Sequence, residues 1–184
     1  MDTVNILGFA GSLRKGSYNK ALLRAAAELL PPGASIEIFD LEGLPPFNQD
    51  LEGSPPQKVK EFKAGIRAAS AVLIATPEYN FSMPGVLKNA LDWASRPHGD
   101  SAWQGKPLAV MSASTGMLGG SRAQYHLRQT LLFLDVKAVT KPEVFVTFAA
   151  RKFDESGRLT DGATRGVVAD LLKALVNLAS IAAR

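Results

Sequence analysis

AVLIAT, Ala71 to Thr76, is an apolar run without a charge, and it passes through a loop ending at Pro84 into the helical pattern GVLKNALDWAS that closes at Ser95. A run this short and continuous reads as a strand covered on both faces, the kind found in the middle of a parallel sheet. In the segment from about Pro84 to Ser95, Val86, Leu87, Ala90, Leu91 and Ala94 recur at helical spacing, and Pro84 suits a first helical turn. One β-α unit is thereby defined.

The same alternation extends in both directions. Upstream, a strand is expected at about Val4 to Phe9 and a helix at about Asn19 to Leu30, whose face is Leu22, Leu23, Ala26, Leu29 and Leu30 and which Pro31, Pro32 and Gly33 stop. A second strand follows at about Ser35 to Phe39, and then a Pro-rich segment, Gly43 to Pro56, long enough to be a surface feature over a site. The next helix spans about Gln57 to Ala69. Downstream, a strand at about Pro107 to Ser112 opens into Ser114, Thr115 and Gly116 and the pair Gly119-Gly120, before a helix that runs to Leu134. A fifth strand near Val144 to Phe148 and a C-terminal helix complete the pattern. Alternating units of this kind predict a doubly wound α/β fold.

The 184 residues suffice for one substantial core, so residues 1–184 are expected to form a single domain. Apolar residues at 46% and charged residues at 21% exclude the disordered class. The most apolar stretch, Gly166 to Ala183, is interrupted by Asp170 and Lys173, so no membrane span is expected. A strand beginning near the N-terminus leaves no room for a leader, and a cytoplasmic location is the expectation. Cysteine is absent and the histidines are His98 and His126 alone, which argues against disulfides, thiolate chemistry and a metal site. Any redox chemistry must then come from a bound cofactor. The net charge of +4 favours anionic ligands, but the basic residues are scattered as on a solvated surface, so no nucleic-acid partner is expected.

In a doubly wound sheet, ligands bind beyond the carboxyl ends of the strands. The chemically unusual residues fall there, in the loops after the first, third and fourth strands. The first, GSLRKGSYN (Gly11 to Asn19), combines glycines, hydroxyls and cations directly before a helix. Ser12, Ser17 and Arg14, with the positive end of the helix, suit a phosphate; the alternative is a polar helix cap by Ser17 or Asn19. The dinucleotide fingerprint G-x-G-x-x-G is missing. A triphosphate loop is only half matched, since Ser17 and Tyr18 stand where its lysine and metal-binding hydroxyl belong. The second loop, Pro77 to Met83, is Pro-bounded and rich in flat side chains. It suits the polar edge of a ring, with Tyr79 or Trp103 covering a face, unless Tyr79 and Phe81 simply pack into the core or another subunit. The third, Ser114 to Gly116, adjoins both, its glycine permitting close approach. A phosphate at one end and a planar polar ring at the other describe a mononucleotide, and flavin mononucleotide (FMN) has that shape.

At GSLRKGSYN (Gly11 to Asn19), TPEYNFSMPGVLKNALDW (Thr76 to Trp93) and GGSRAQYHLRQ (Gly119 to Gln129) the chain resembles the NADPH-dependent FMN reductase family, which includes quinone and chromate reductases, over roughly residues 3–180. The resemblance implies a flavodoxin-like three-layer sandwich with a five-stranded parallel sheet in the order 2-1-3-4-5. It implies FMN as cofactor and NADPH or NADH as electron donor. Ser12, Arg14, Ser17, Tyr18 and Asn19 would hold the FMN phosphate, and Pro77, Glu78, Tyr79, Asn80, Ser114, Thr115 and Gly116 would border the ring. Tyr18 and Phe81 stand where the family pattern carries other aromatics.

No catalytic side chain is expected, because the flavin carries the chemistry and the protein supplies position and electrostatics. The acceptor is expected to be small: a quinone, chromate, an azo compound or a free flavin. Arg14, Lys15 and Arg122 are candidates for attracting anions to the opening, whereas His126 reads as a structural residue of the fourth helix. Members of the family are commonly dimers or tetramers, and Trp103 together with a helix from Pro84 that is apolar on more than one side would suit a symmetric interface, unless Trp103 simply packs down within its own subunit. Two other readings stay open: an electron-carrier flavodoxin without nicotinamide activity, and a flavin-free domain on the same architecture.

Overall fold

The computed structural model describes residues 3–182. Ala183, the last residue of the apolar C-terminal stretch noted above, lies outside them. The strands are β1 (Val4–Ala10), β2 (Ala34–Phe39), β3 (Ala71–Thr76), β4 (Pro107–Ala113), β5 (Lys137–Ala138) and β6 (Val144–Val146). The helices are α1 (Tyr18–Glu28), α2 (Gln57–Ala68), α3 (Gly85–Ser95), α4 (Ser121–Phe133) and α5 (Gly162–Ala182), with single 3-10 turns at Gln49–Leu51 and Ala149–Arg151. The sheet is parallel throughout, in the order β2-β1-β3-β4-β5, with β6 also paired to β4. This is the flavodoxin-like order.

Every residue of β3 and β4 is buried. Two apolar layers account for that. On one face α1 and α5 pack through Leu22, Leu23, Val168, Leu171, Leu172 and Leu175. On the other α2, α3 and α4 pack through Phe62, Ile66, Leu87, Leu91, Leu127 and Leu131. Burying each of these large side chains is worth about 1.5–3 kcal/mol, so the two layers dominate the folding energy. They also leave the carboxyl ends of β1, β3 and β4 side by side, free to carry loops.

The fold departs from the sequence expectations in five places. The fifth sheet position is shared: β5 pairs Pro107 and Leu108, whereas β6 pairs Met111 to Ala113. Between them lies Pro142, which has no N–H to extend a ladder. Trp103, expected at an interface or over the ring, is 0% exposed, lies against Phe9 and Phe62, and donates its indole N–H to the Leu91 carbonyl at 3.0 Å. The second apolar side of α3 is likewise used within the chain. Trp93 meets Phe47 edge-on at 5.0 Å and donates to the Pro45 carbonyl at 2.8 Å, while Asn89 bonds to both Pro45 O and Phe47 N. Those same contacts fasten the Gly43 to Pro56 segment onto α3 rather than over a site. Finally, α1 stops at Glu28, because Pro31 and Pro32 cannot extend its hydrogen bonds.

Candidate functional site

A cavity of about 370 Å³ opens at the carboxyl ends of β1, β3 and β4. Its walls come from all three loops singled out in the sequence: Ser12, Arg14, Ser17, Tyr18 and Asn19 from the first, Pro77, Glu78 and Tyr79 from the second, and Ala113, Ser114 and Thr115 from the third. Asn80 and Gly116, also expected here, are not among the wall residues. Ala113 is the wall residue the sequence reading missed; an alanine ending a buried strand carries no polar signal, and only its adjacency to Ser114 pointed to it.

The first loop brings two hydroxyls and a cation to the cavity wall. Ser12 and Ser17 are 3% and 5% exposed, so their hydroxyls are fixed in the wall. Ser17 is also the cap of α1, accepting from the backbone N–H of Asn19 at 3.2 Å and Lys20 at 3.4 Å. The cap does not exclude the phosphate reading, because a hydroxyl that accepts from the helix keeps its own hydrogen to donate. A side chain at Gly16 would meet nothing within 4 Å, which leaves open space beside the loop. Arg14 is exposed and holds only the Gly16 carbonyl, at 2.8 Å. Asn19 does something the sequence did not reveal. Its carboxamide donates to Ala113 O and accepts from Ala113 N, both at 2.9 Å, and so clamps α1 to the end of β4. The amide frames the cavity more than it furnishes it.

The third loop is held from beneath. Ser112 donates to Gly119 O at 2.6 Å, and the buried Gln124 donates to Ser112 Oγ at 2.7 Å and to Val144 O at 2.9 Å. Gly119 and Gly120 are required here. They take φ of +58° and +86°, and a Cβ on either would lie 2.8 Å from Phe145 C or Ser112 Cβ respectively.

The second loop is a tight hairpin. Tyr79 and Ser82 exchange backbone hydrogen bonds of 3.0 Å around Asn80 and Phe81, both at positive φ. Glu78 reaches from it to α4, accepting from the backbone N–H of Arg122 at 3.1 Å and Ala123 at 3.4 Å and pairing with the Arg122 guanidinium. It therefore caps a helix that has only Gly120 at its own cap position. Arg122, expected to attract anions, has its charge matched by Glu78 and lies over the Phe81 ring at 3.6 Å. His126 Nδ1 is 3.1 Å from Ser82 Oγ, a contact that ties α4 to the hairpin.

The cavity thus joins a cationic, hydroxyl-lined end to a restrained, aromatic one. The family pattern described as NADPH-dependent FMN reductase matches residues 4–151, a span that contains every one of these loops. The chain belongs to the NADPH-dependent FMN reductase family.

Its relatives agree along most of their length. An NAD(P)H-dependent FMN reductase of Pseudomonas aeruginosa is 53% identical over 95% of this chain and 94% of that protein. A quinone reductase of Pseudomonas putida is 49% identical over 82% of each. Among solved structures, the flavoenzyme NAD(P)H:(acceptor) oxidoreductase of Paracoccus denitrificans superposes with a TM-score of 0.90, at 34% identity, covering 97% of this chain and 98% of that one. The resemblance noted at Gly11 to Asn19 and Thr76 to Trp93 therefore extends to the whole sheet. Within this FMN reductase family member, no described helix is long and apolar enough to cross a membrane, and no described group of His, Cys, Asp or Glu could hold a metal ion.

Proposed function

We propose that this chain is an NAD(P)H-dependent FMN oxidoreductase that delivers electrons to a small acceptor of the quinone, chromate, azo or free-flavin type. The observation that carries the reading is the single cavity into which the hydroxyl-lined first loop and the ring-sized second and third loops all open. Its donor set fits FMN. Ser12, Ser17 and Arg14 provide hydroxyl and guanidinium donors for a phosphate, next to the positive end of α1. Tyr18 is braced against Phe153 at 5.5 Å, which gives that end of the cavity a rigid wall. Because the Glu78 carboxylate is engaged by Arg122 and α4, the polar groups that Pro77 to Tyr79 offer a ring are those of the backbone. Tyr79, half-exposed, supplies a flat side chain, and Ser114 and Thr115 supply the facing polar edge. Asn80 and Gly116 serve as turn residues adjoining that edge.

FMN, when bound, supplies the redox chemistry, taking electrons from the nicotinamide and passing them to the acceptor. The protein's work is to hold, orient and shield. The Asn19 clamp and the Ser112–Gln124 bridge fix the loops before anything binds, so little ordering is required on binding.

The same reading makes residues 1–184 one FMN-binding domain and the protein a cytoplasmic homodimer or homotetramer. Tyr125, Leu132 and Phe133, exposed on the outer side of α4 at 50%, 82% and 90%, replace Trp103 as the surface a second copy would cover. The deciding experiment is an anaerobic titration of the FMN-loaded protein with NADPH, following the oxidised flavin band. Bleaching is expected; bound FMN that NADPH cannot bleach would mark an electron carrier, and no affinity for FMN would remove the reading.

A further inference from the structure

Among the described residues, Glu78 is the one acid in the cavity wall, whose other charged member is Arg14. An acid is an unexpected choice beside an anionic cofactor, and the local structure does not demand one. Helix α4 needs a cap from outside itself, because a Cβ at Gly120 would lie 2.8 Å from Ser112 Cβ. A neutral glutamine at residue 78 would offer an acceptor for that purpose. What the carboxylate adds is charge. Its side chain is 8% exposed, it accepts from the backbone N–H groups of Arg122 and Ala123, and it pairs with the Arg122 guanidinium. A helix N-terminus is equivalent to about half a positive charge, so with Glu78 present the group retains about that half charge, whereas without it the wall would face about one and a half.

We propose that Glu78 is a potential-setting residue: it cancels the field of Arg122 and of the α4 N-terminus at the ring end of the cavity, and so holds down the reduction potential of bound FMN. The proposal rests on the reading of the cavity as the FMN site. A hydride takes two electrons and a proton from NADPH, which leaves as NADP+, and the ring that accepts it gains one negative charge. Positive charge left uncancelled in the wall favours that reduced form, and a carboxylate opposes it. With Glu78 in place the cofactor holds its electrons less tightly and yields them more readily to an acceptor. At an effective dielectric of about 20, one unit charge about 10 Å from the ring shifts the balance between oxidised and reduced cofactor roughly tenfold. For a two-electron couple, tenfold corresponds to about 30 mV.

The test compares FMN-loaded wild type with Glu78→Gln, Arg122→Gln and Arg122→Lys at pH 8, the midpoint potential being read by equilibration with a reference dye. Glu78→Gln keeps an acceptor for the α4 N–H groups, so the fold is retained, and the potential should rise by about 30 mV. Arg122→Gln leaves the carboxylate unmatched and should lower the potential by a similar amount. Arg122→Lys keeps the charge and should stay near wild type. Opposite shifts from the two neutral substitutions are the signature of charge, whereas a pair that only braces the hairpin would move both potentials the same way or neither. The proposal is overturned by either of those patterns, by an Arg122→Lys potential that follows Arg122→Gln, or by Glu78→Gln protein that no longer binds FMN. Wild-type protein that binds no FMN would overturn the reading of the cavity itself, and it is seen before any variant is compared.

Discussion

Asn19 offers the sharpest test of how this cavity is made. The residue is 2% exposed, and its amide forms a reciprocal pair with the backbone of Ala113, N–H to O and O to H–N, both at 2.9 Å. Asn19→Ala leaves a buried backbone donor and a buried acceptor without partners. Each such group costs about 1–3 kcal/mol, and because Ala113 lines the cavity, entering water recovers part of that. The net loss should be about 2–4 kcal/mol, or roughly 5–15 °C in melting temperature for a chain of this size. Cofactor affinity should fall with it, by about tenfold or more, because the clamp sets the spacing between the first and third loops. Asn19→Asp retains an acceptor for Ala113 N–H but turns a second oxygen against Ala113 O, so it should be no better than alanine. Urea unfolding of the apoprotein and fluorescence titration with FMN measure the two effects. A loss below about 1 kcal/mol in both variants, with FMN affinity unchanged, would refute the idea that this amide holds the cavity together.

Arg14→Ala should leave stability within about 0.5 kcal/mol, since the side chain is exposed and holds only Gly16 O, yet weaken FMN roughly tenfold to a hundredfold through loss of a charged phosphate donor. Riboflavin, lacking the phosphate, should bind both proteins alike in the same titration. Gly120→Ala places a Cβ 2.8 Å from Ser112 Cβ at φ +86°, and should cost about 2 kcal/mol or more in urea unfolding while displacing the third loop. Asp100, hydrogen-bonded by Lys63 and by Arg67, has its carboxyl lowered from 3.8 to about 2. With the folded value depressed, its stabilising contribution is present above about pH 4 and is lost as pH falls toward 2. The stability gap between wild type and Asp100→Asn should therefore close across that window, and a gap that persists at pH 2 would count against the ion pairs as its source.

Local chemistry made much of this legible in advance. The uninterrupted run Ala71 to Thr76 has the form of a strand covered on both faces, and the sheet order followed from family resemblance. The first-loop residues of the cavity wall were legible because hydroxyls, glycines and cations rarely crowd before a helix without a reason. Trp103 was misplaced because its neighbours in sequence, Ser101 and Gln104, are polar, whereas its partners Phe9 and Phe62 come from β1 and α2. The shared fifth strand was missed because it depends on where Lys137–Ala138 and Val144–Val146 fall along β4, a matter of three-dimensional register.

What the sequence could not separate was furnishing from framing. Asn19, Glu78 and Arg122 all carry polar groups suited to a ligand, and in the fold each gives those groups to the protein: Asn19 to β4, Glu78 to α4 and Arg122 to Glu78. A side chain committed to two backbone partners has little freedom to follow a ligand, but it fixes the loops that do. The consequence is that affinity here should be sensitive to residues that never touch the cofactor. Loss of Arg14 should weaken FMN and leave folding intact, whereas loss of Asn19 should lower both together. That contrast, Arg14 in the loop and Asn19 in the first turn of α1 both weakening FMN but only Asn19 lowering stability, is what a preorganised cavity requires and what a loop that forms around its ligand would not produce.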